Sequence, residues 1–204
     1  LNDIMLYAVS RVLPRHPDLN AHYLGDSIRR LRHVNLGLAV DTLRGLMVPT
    51  LFNADEKSLR EISSEAKALI AACQEGSINP DLLQGGSFTV SNLGSLGIEH
   101  FTPVINPPQT GILGVCGITE RVRTGKDGGI SVYPAMGLSL TYDHITISAS
   151  YSRIAFTAFS QASGSTQSSE STNMMYSPQA QSSASFRARD TPPFALSMTC
   201  IRAS

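Results

Sequence analysis

The chain has 204 residues, with sixteen Lys and Arg against sixteen Asp and Glu, and 42% of its residues are hydrophobic. A balanced charge lacks the clustered basic surface that nucleic acids and anionic lipids require, so we expect neither as a partner. No stretch approaches the ~18 consecutive apolar residues of a membrane-spanning helix. The length corresponds to one domain, or to one domain followed by a tail.

The three cysteines are Cys73, Cys116 and Cys200. They are odd in number, far apart and form no CxxC pair, which suggests neither a disulfide framework nor a zinc site. We therefore expect a reducing compartment and no metal. Cys73 and Cys116 fall in apolar patterns, where a free cysteine behaves as a small hydrophobic residue, and neither has an adjacent cation to activate it.

Two segments, residues 1–13 and 55–75, carry apolar side chains at the spacing of an amphipathic helix. Pro14 follows the first segment and Gly76 follows the second, and both residue types commonly end helices. The first helix is already under way at residue 1, with no preceding cap or leader. We therefore expect that the chain is N-terminally incomplete.

Extended runs fill much of the sequence between and after these helices: residues 34–40, 46–51, 87–91, 111–118 and 130–142. Gly- and Pro-containing turns separate them, and a polar loop over 121–129 joins the last two. The order of helix, strands, helix and strands predicts an α+β fold. The strands can form a mixed or an antiparallel β-sheet, and we expect a two-layer sandwich in which both helices pack on one face of it.

After about residue 160 the composition shifts to Ser, Gln, Thr and Ala, and no hydrophobic period survives. Such a segment cannot bury enough apolar surface to offset its ordering entropy. We predict a single domain over residues 1–159 and a Ser-rich, low-complexity tail over 160–204 that is mostly disordered.

Of the five histidines, His144 lies at the end of the longest strand pattern, where a rigid element can project a general base into a cleft. The other four, His16, His22, His33 and His100, fall in polar segments and are interpreted as surface or loop residues. Spacing alone leaves two alternatives open for His144, because a lone histidine at a strand end is more often an ordinary surface or core residue than a base.

Six segments, taken in order, resemble one family. They are HPDLNA at His16–Ala21, VNLGLAV at Val34–Val40, RGLMVP at Arg44–Pro49, GGSFTVSNLG at Gly85–Gly94, FTPVINPPQ at Phe101–Gln109 and LSLTYDH at Leu138–His144. Together they resemble the catalytic core of the dihydrolipoamide acyltransferases of 2-oxo acid dehydrogenase complexes. The resemblance covers residues 1–144 and implies the fold of chloramphenicol acetyltransferase.

The resemblance implies acyl transfer between a dihydrolipoyl thiol and coenzyme A. His144 matches the histidine of the family's DHRxxDG motif, which removes the thiol proton, and Ser91 matches the serine that donates to the tetrahedral oxyanion. The alternative for Ser91 is a strand-end serine that caps the following glycine turn. The residues that would hold coenzyme A and set the acyl group are not identified from the sequence.

The motif departs from the family after His144, where Ile145, Ser148 and Ala149 stand in place of Arg, Asp and Gly. A serine cannot replace a carboxylate in a charged pairing, which favours a second function: a catalytically impaired core or docking subunit. The terminal helix expected next is also altered. The agreement with the family motifs ends within one residue of His144, which suggests a reading-frame slip, an alternative final exon or a truncated gene copy.

The resemblance further implies a homotrimer, with the active site between subunits, that assembles into a larger core alongside decarboxylase and dihydrolipoamide dehydrogenase subunits. The lipoyl group would come from a lipoyl domain outside this chain. We expect a cytoplasmic location, with the mitochondrial matrix as the alternative, because the sequence shows no leader.

Overall fold

The computed structural model describes residues 1–124, 128–147 and 158, together with two backbone strands at 169–170 and 195–201. Two α-helices, α1 (Asn2–Val12) and α2 (Leu59–Glu75), confirm the helices predicted from apolar spacing. No helix within these described residues is long and apolar enough to cross a membrane.

Helix α2 begins four residues later than its predicted start because Ser58 caps it. The Ser58 Oγ accepts the backbone N–H of Glu61 at 3.3 Å, and the Glu61 carboxylate accepts the backbone N–H of Ser58 at 2.7 Å. This reciprocal capping box satisfies two donors that the helix itself leaves unpaired. At the other end Gly76 adopts a left-handed φ of 73°, which ends the helix as predicted.

Eleven strands are described, in chain order: β1 Ala21–Tyr23, β2 Ile28–Arg30, β3 Leu36–Leu38, β4 Val40–Thr42, β5 Gly45–Met47, β6 Thr50–Leu51, β7 Phe88–Asn92, β8 Gly111–Thr124, β9 Ile130–Asp143, β10 Ser169–Glu170 and β11 Ala195–Ile201. The main sheet has the order β10-β11-β9-β8-β7-β3-β6. Strand β7 is parallel to β3 and β8, whereas β9 is antiparallel to β8, so the sheet is mixed as predicted.

The strand predictions at 87–91, 111–118 and 130–142 are confirmed by β7, β8 and β9. The run at 34–40 and the run at 46–51 each divide in two, because β3 pairs with β6 while β4 turns away to pair with β5. Strand β8 continues to Thr124 through residues predicted as loop. Its polar end is held by antiparallel pairing with the start of β9, an interaction that local composition does not reveal.

The core lies between the helices and one face of the sheet. The sheet contributes Phe88, Val90, Leu113, Val115, Leu138, Leu140 and Tyr142, and the helices contribute Met5, Leu6, Val9, Val12, Ile62, Ala66, Leu69 and Cys73. Burial of one large apolar side chain contributes ~1.5–3 kcal/mol to the stability of the folded state. Together these residues form the predicted two-layer arrangement of helices on a sheet.

The predicted disorder of residues 160–204 falls mainly on residues outside the described part of the chain. Two short segments in that range are described: β10 pairs with β11, and β11 runs parallel to β9 along Leu138 to Asp143. The boundary at residue 159 lies outside the described residues.

Candidate active site

Ser91 lies near the carboxyl end of β7, on the face opposite the helices. Its neighbours Phe88 and Val90 point into the core, and the two-residue period of a strand places Ser91 on the other side. Ser91 is half-buried and lines a cleft of about 850 Å³. The cleft lies at the carboxyl end of β7 and is bordered by the turn after β7, by the middle of β8, including Cys116, and by residues of both helices, including Leu6 and Ile70.

The turn that follows Ser91 is capped by its neighbour Asn92. The Asn92 Oδ1 accepts the backbone N–H of Gly94 at 2.9 Å, and the Asn92 Nδ2 donates to the Asn2 Oδ1 at 2.9 Å. Asn92 therefore performs the capping that was the alternative for Ser91. Within the described residues, no hydrogen bond engages the Ser91 hydroxyl, which leaves it able to donate to a ligand in the cleft.

His144 is exposed and occupies the first position of the turn that follows β9. Its ring centroid lies 5.6 Å from that of Tyr142, with the two ring planes tilted by 52°. Tyr142 is fully buried in the core and forms a fixed surface beside the imidazole. The structure thus places His144 directly after β9, at the strand end predicted from the sequence, with its side chain exposed; its role as a general base stays a prediction.

A second cavity of about 260 Å³ lies beside the strand end that carries His144. Its walls are mostly apolar, and they consist of Tyr23, Val104, Ile105, Pro107, Pro108, Gln109 and Asp143. The strand β1 reaches this cavity because the Tyr23 N–H donates to the Pro108 carbonyl at 2.8 Å. The sequence did not indicate this wall, since β1 and its partner β2 are short and carry no clear alternation.

Ser91 and His144 lie toward opposite ends of the sheet in one chain. Ser91 pairs with Gly114 on β8, and Gly114 pairs with Ser139 on β9. Two strand spacings across the sheet and four residues along β9 separate the Cα atoms of Ser91 and Asp143 by about 16 Å, and His144 lies one residue further. A donor and a base that serve one reacting centre must each come within ~3 Å of it. One chain therefore does not bring the two side chains to the same centre.

Phe101 covers the sheet between the two candidate residues. A Cβ placed on Gly114 would lie only 2.8 Å from the Phe101 Cζ, so the aromatic ring rests on the glycine. The segment that carries Phe101 is fixed nearby by the Gly117 N–H, which donates to the Ile98 carbonyl at 2.8 Å. The ring forms a barrier on this face of the sheet.

Both described cysteines, Cys73 and Cys116, are buried, in agreement with the sequence interpretation. Burial raises the pKa of each thiol, which disfavours the nucleophilic thiolate. Cys116 therefore contributes to the wall of the Ser91 cleft as an apolar group. Within the described residues, no group of three His, Cys, Asp or Glu side chains is arranged to hold a metal ion.

Two of the histidines interpreted as surface residues are buried instead. The His22 Nε2 lies 2.8 Å from the Gly86 carbonyl, which fixes the ring between β1 and the segment before β7. Burial, with a smaller effect from Arg15, lowers the pKa of His16. Both are only 5% exposed. His22 packs inward because it pairs with Gln109, a nonlocal contact that the sequence does not display.

The sequence matches the profile of the family described as 2-oxoacid dehydrogenases acyltransferase (catalytic domain) over residues 1–158. The chain belongs to this family. The match confirms the resemblance and continues past His144, where the recognisable motifs end.

Two curated relatives illustrate the range of the family. The dihydrolipoyllysine-residue acetyltransferase component of the pyruvate dehydrogenase complex of Rickettsia bellii is 40% identical over 144 residues, 71% of this chain and 34% of that protein. The dihydrolipoyllysine-residue succinyltransferase component of the 2-oxoglutarate dehydrogenase complex of Haemophilus influenzae is 39% identical over 137 residues, 67% of this chain and 33% of that protein. The chain thus spans about a third of the length of these relatives.

Solved structures support the same assignment. The cubic core of a pyruvate dehydrogenase multienzyme complex matches with a TM-score of 0.71 and 30% identity, covering 79% of this chain and 67% of that chain. The dihydrolipoamide acetyltransferase of Azotobacter vinelandii matches with a TM-score of 0.71, 29% identity and the same coverage. A chloramphenicol acetyltransferase matches at 13% identity with a TM-score of 0.50, covering 79% of this chain and 76% of that chain, which confirms the expected fold.

Proposed function

We propose that this chain transfers an acyl group between a dihydrolipoyl thiol and coenzyme A, in an active site shared by two copies of the chain. The observation that carries the proposal is the position of Ser91 and His144 toward opposite ends of one sheet, in a member of an acyltransferase family. Each residue faces an accessible region of its own, so each can complete a site with the other residue of a neighbouring chain.

His144 acts as the general base in this proposal. Its imidazole takes the proton from the thiol of coenzyme A, and the sulfur uses its electron pair to bond to the carbonyl carbon of the S-acyl-dihydrolipoyl thioester. A thiol with an ordinary pKa of ~8.5 needs only a modest base, and an imidazole suits this step because it exchanges protons near neutral pH. The exposed ring beside Tyr142 is accessible to such a thiol.

Ser91 donates a hydrogen bond to the oxyanion that forms at the carbonyl oxygen. When the tetrahedral intermediate collapses, the bond to the dihydrolipoyl sulfur breaks and this sulfur takes the proton back from the imidazolium. The reverse sequence regenerates acyl-dihydrolipoyl from acyl-coenzyme A. One donor to a developing oxyanion lowers the activation barrier by ~3 kcal/mol, and the unengaged Ser91 hydroxyl is suited to this role.

Larger-scale expectations follow from the relatives. We propose that the chain forms homotrimers that build a larger core, because one matching structure is the cubic core of a pyruvate dehydrogenase multienzyme complex. We further propose that it associates with decarboxylase and dihydrolipoamide dehydrogenase subunits, because the relatives are components of pyruvate and 2-oxoglutarate dehydrogenase complexes. The lipoyl group would be supplied by a lipoyl domain outside residues 1–204. The relatives include acetyltransferases and succinyltransferases, so they do not select one acyl group for this chain.

We propose a cytoplasmic location, with the mitochondrial matrix as the alternative because one relative, from Caenorhabditis elegans, is mitochondrial.

The residues after His144 favour a second candidate, a core subunit without catalytic activity. The Azotobacter vinelandii structure was used to investigate one serine, one histidine and one asparagine in its catalytic mechanism. The asparagine there follows the histidine by four residues, and this chain has Ser148 at the corresponding distance from His144. A subunit that assembled without transferring acyl groups would fit this departure.

The test compares the unmodified chain with Ser91→Ala and His144→Ala in a transferase assay with acetyl-coenzyme A and dihydrolipoamide. We expect activity that each substitution lowers by about a hundredfold or more. Ser95→Ala is the matched control, because Ser95 lines the same cleft on the turn after β7 and is expected to retain activity. An assembled but inactive unmodified chain would contradict catalysis and support the second candidate.

A further inference from the structure

The carboxylate of Asp143 holds the peptide group that follows His144. Its Oδ1 accepts the backbone N–H of Ile145 at 2.8 Å, and the side chain is shielded, with the residue only 5% exposed. His144 is the single residue between acceptor and donor. The ring closed by this hydrogen bond, an Asx turn, therefore contains the backbone of His144 itself.

The residue that supplies this carboxylate is itself rigidly held. The Asp143 N–H donates to the Thr110 carbonyl at 2.9 Å, and the Asp143 carbonyl accepts the N–H groups of Thr146 and Ile147, both at 3.1 Å. Thr110 is completely buried, and its own N–H donates to the Ala21 carbonyl at 3.2 Å. The carboxylate is therefore anchored to the sheet and not to a mobile loop.

The side chain of His144 has little packing of its own. It is exposed, and the ring contact described for it is with Tyr142 at 5.6 Å between centroids. The direction in which the imidazole leaves the chain is consequently set by its backbone φ and ψ. These are the angles that the hydrogen bond from Asp143 to Ile145 restrains.

We propose that Asp143 is a positioning residue for His144, whose carboxylate fixes the backbone of the histidine so that the imidazole points into the shared active site. The inference rests on the proposed function insofar as His144 is the base. It adds a role for Asp143 that depends on the position of an acceptor oxygen. An error of 1 Å in the placement of a catalytic group can cost about a hundredfold in rate.

Three substitutions separate the geometry of the acceptor from its charge. Asp143→Asn keeps an oxygen at the same place without the charge, Asp143→Glu keeps the charge but moves the oxygen, and Asp143→Ala removes both. We expect Asn to retain kcat within about threefold, and both Ala and Glu to lower kcat by about ten- to a hundredfold with little change in the KM for coenzyme A. Glu keeps the test valid if Ala does not fold.

The matched control is Thr146→Val. The Thr146 hydroxyl donates to the Asp143 carbonyl at 2.9 Å, so this substitution removes a side-chain hydrogen bond from the same turn. It leaves the ring around His144 closed, and we expect kcat close to that of the unmodified chain. A loss of kcat in Thr146→Val equal to that in Asp143→Ala would show that general weakening of the turn is sufficient, and would overturn the proposal.

Hydrogen exchange at the Ile145 amide, measured by NMR, tests the positioning without any activity. We expect exchange at this amide to become about tenfold faster in the Ala and Glu variants and to stay unchanged in Asp143→Asn. If the unmodified chain is inactive while the exchange rates follow this pattern, the proposed function is refuted, but the restraint of the His144 backbone by Asp143 is supported. Unchanged exchange in the Ala and Glu variants, or full kcat in both, would refute the role of Asp143.

Discussion

Mixing two inactive variants tests whether each active site is built from two chains. Ser91→Ala removes the proposed oxyanion donor, and His144→Ala removes the proposed base. Within one chain the Cα atoms of Ser91 and Asp143 lie about 16 Å apart along the paired strands, so the two substitutions disable different sites of the same subunit. A site between subunits takes its serine from one chain and its histidine from the next.

The size of the recovery follows from this geometry. If the two variants are produced together in equal amounts and assemble at random, a site receives an intact serine in half of the cases and an intact histidine in half. About a quarter of the sites are then complete, so we expect about 25% of the activity of the unmodified assembly. Each variant alone should retain about 1% or less, because the loss of one oxyanion donor costs ~10²–10³ in kcat.

The assay follows acyl transfer from acetyl-coenzyme A to dihydrolipoamide per mole of chain. A second mixture provides the control: the unmodified chain with the double variant Ser91→Ala/His144→Ala. Random assembly of this pair predicts about a quarter of full activity if sites are shared and about a half if each chain carries a complete site. No recovery in the first mixture, together with a half in the second, would show that the argument from the Ser91 to His144 separation is wrong.

Three further predictions concern stability. Gly114→Ala should lower the free energy of unfolding in urea by ~1–3 kcal/mol, because the new methyl group meets the Phe101 ring at 2.8 Å, and unchanged stability would contradict this contact. Ser58→Ala should cost ~1 kcal/mol through loss of the capping box with Glu61, whereas Ser58→Asp, which keeps an acceptor, should cost little on thermal denaturation. The pKa of His16 is lowered in the folded chain, so the unfolded chain binds a proton at a higher pH than the folded chain does. The contribution of His16 to the free energy of unfolding should therefore be full above pH ~6.5 and decrease as the pH falls below that value. In urea titrations at several pH values, His16→Gln should make the free energy of unfolding depend less on pH.

The sequence predicts those parts of the fold that depend on local patterns. The helix ending at Gly76 and the strand ending at Asn92 carry their periodicity and end signals in adjacent residues, and both appear where expected. The hairpin of β1 and β2 is too short for a periodic signal. The extension of β8 to Thr124 depends on pairing with β9, which is a nonlocal interaction.

The candidate site shows the same division. Ser91 and His144 were identified through family motifs, whose spacing is visible in the sequence. Their separation within one chain is not visible there, because it depends on the register that joins β7, β8 and β9. The role of Asn92 in capping the turn after Ser91 was also missed, although an asparagine two residues before a glycine is a local signal that could have indicated it.

The contact between Phe101 and Gly114 couples the sizes of the residues that these two positions can hold. Because the ring occupies the volume that a side chain at residue 114 would need, a larger residue at position 114 costs stability unless residue 101 becomes smaller. A larger residue on the strand would have to accompany a smaller one in the covering segment. Among relatives, we therefore expect the sizes of these two residues to vary inversely, so that this face of the sheet keeps the same shape.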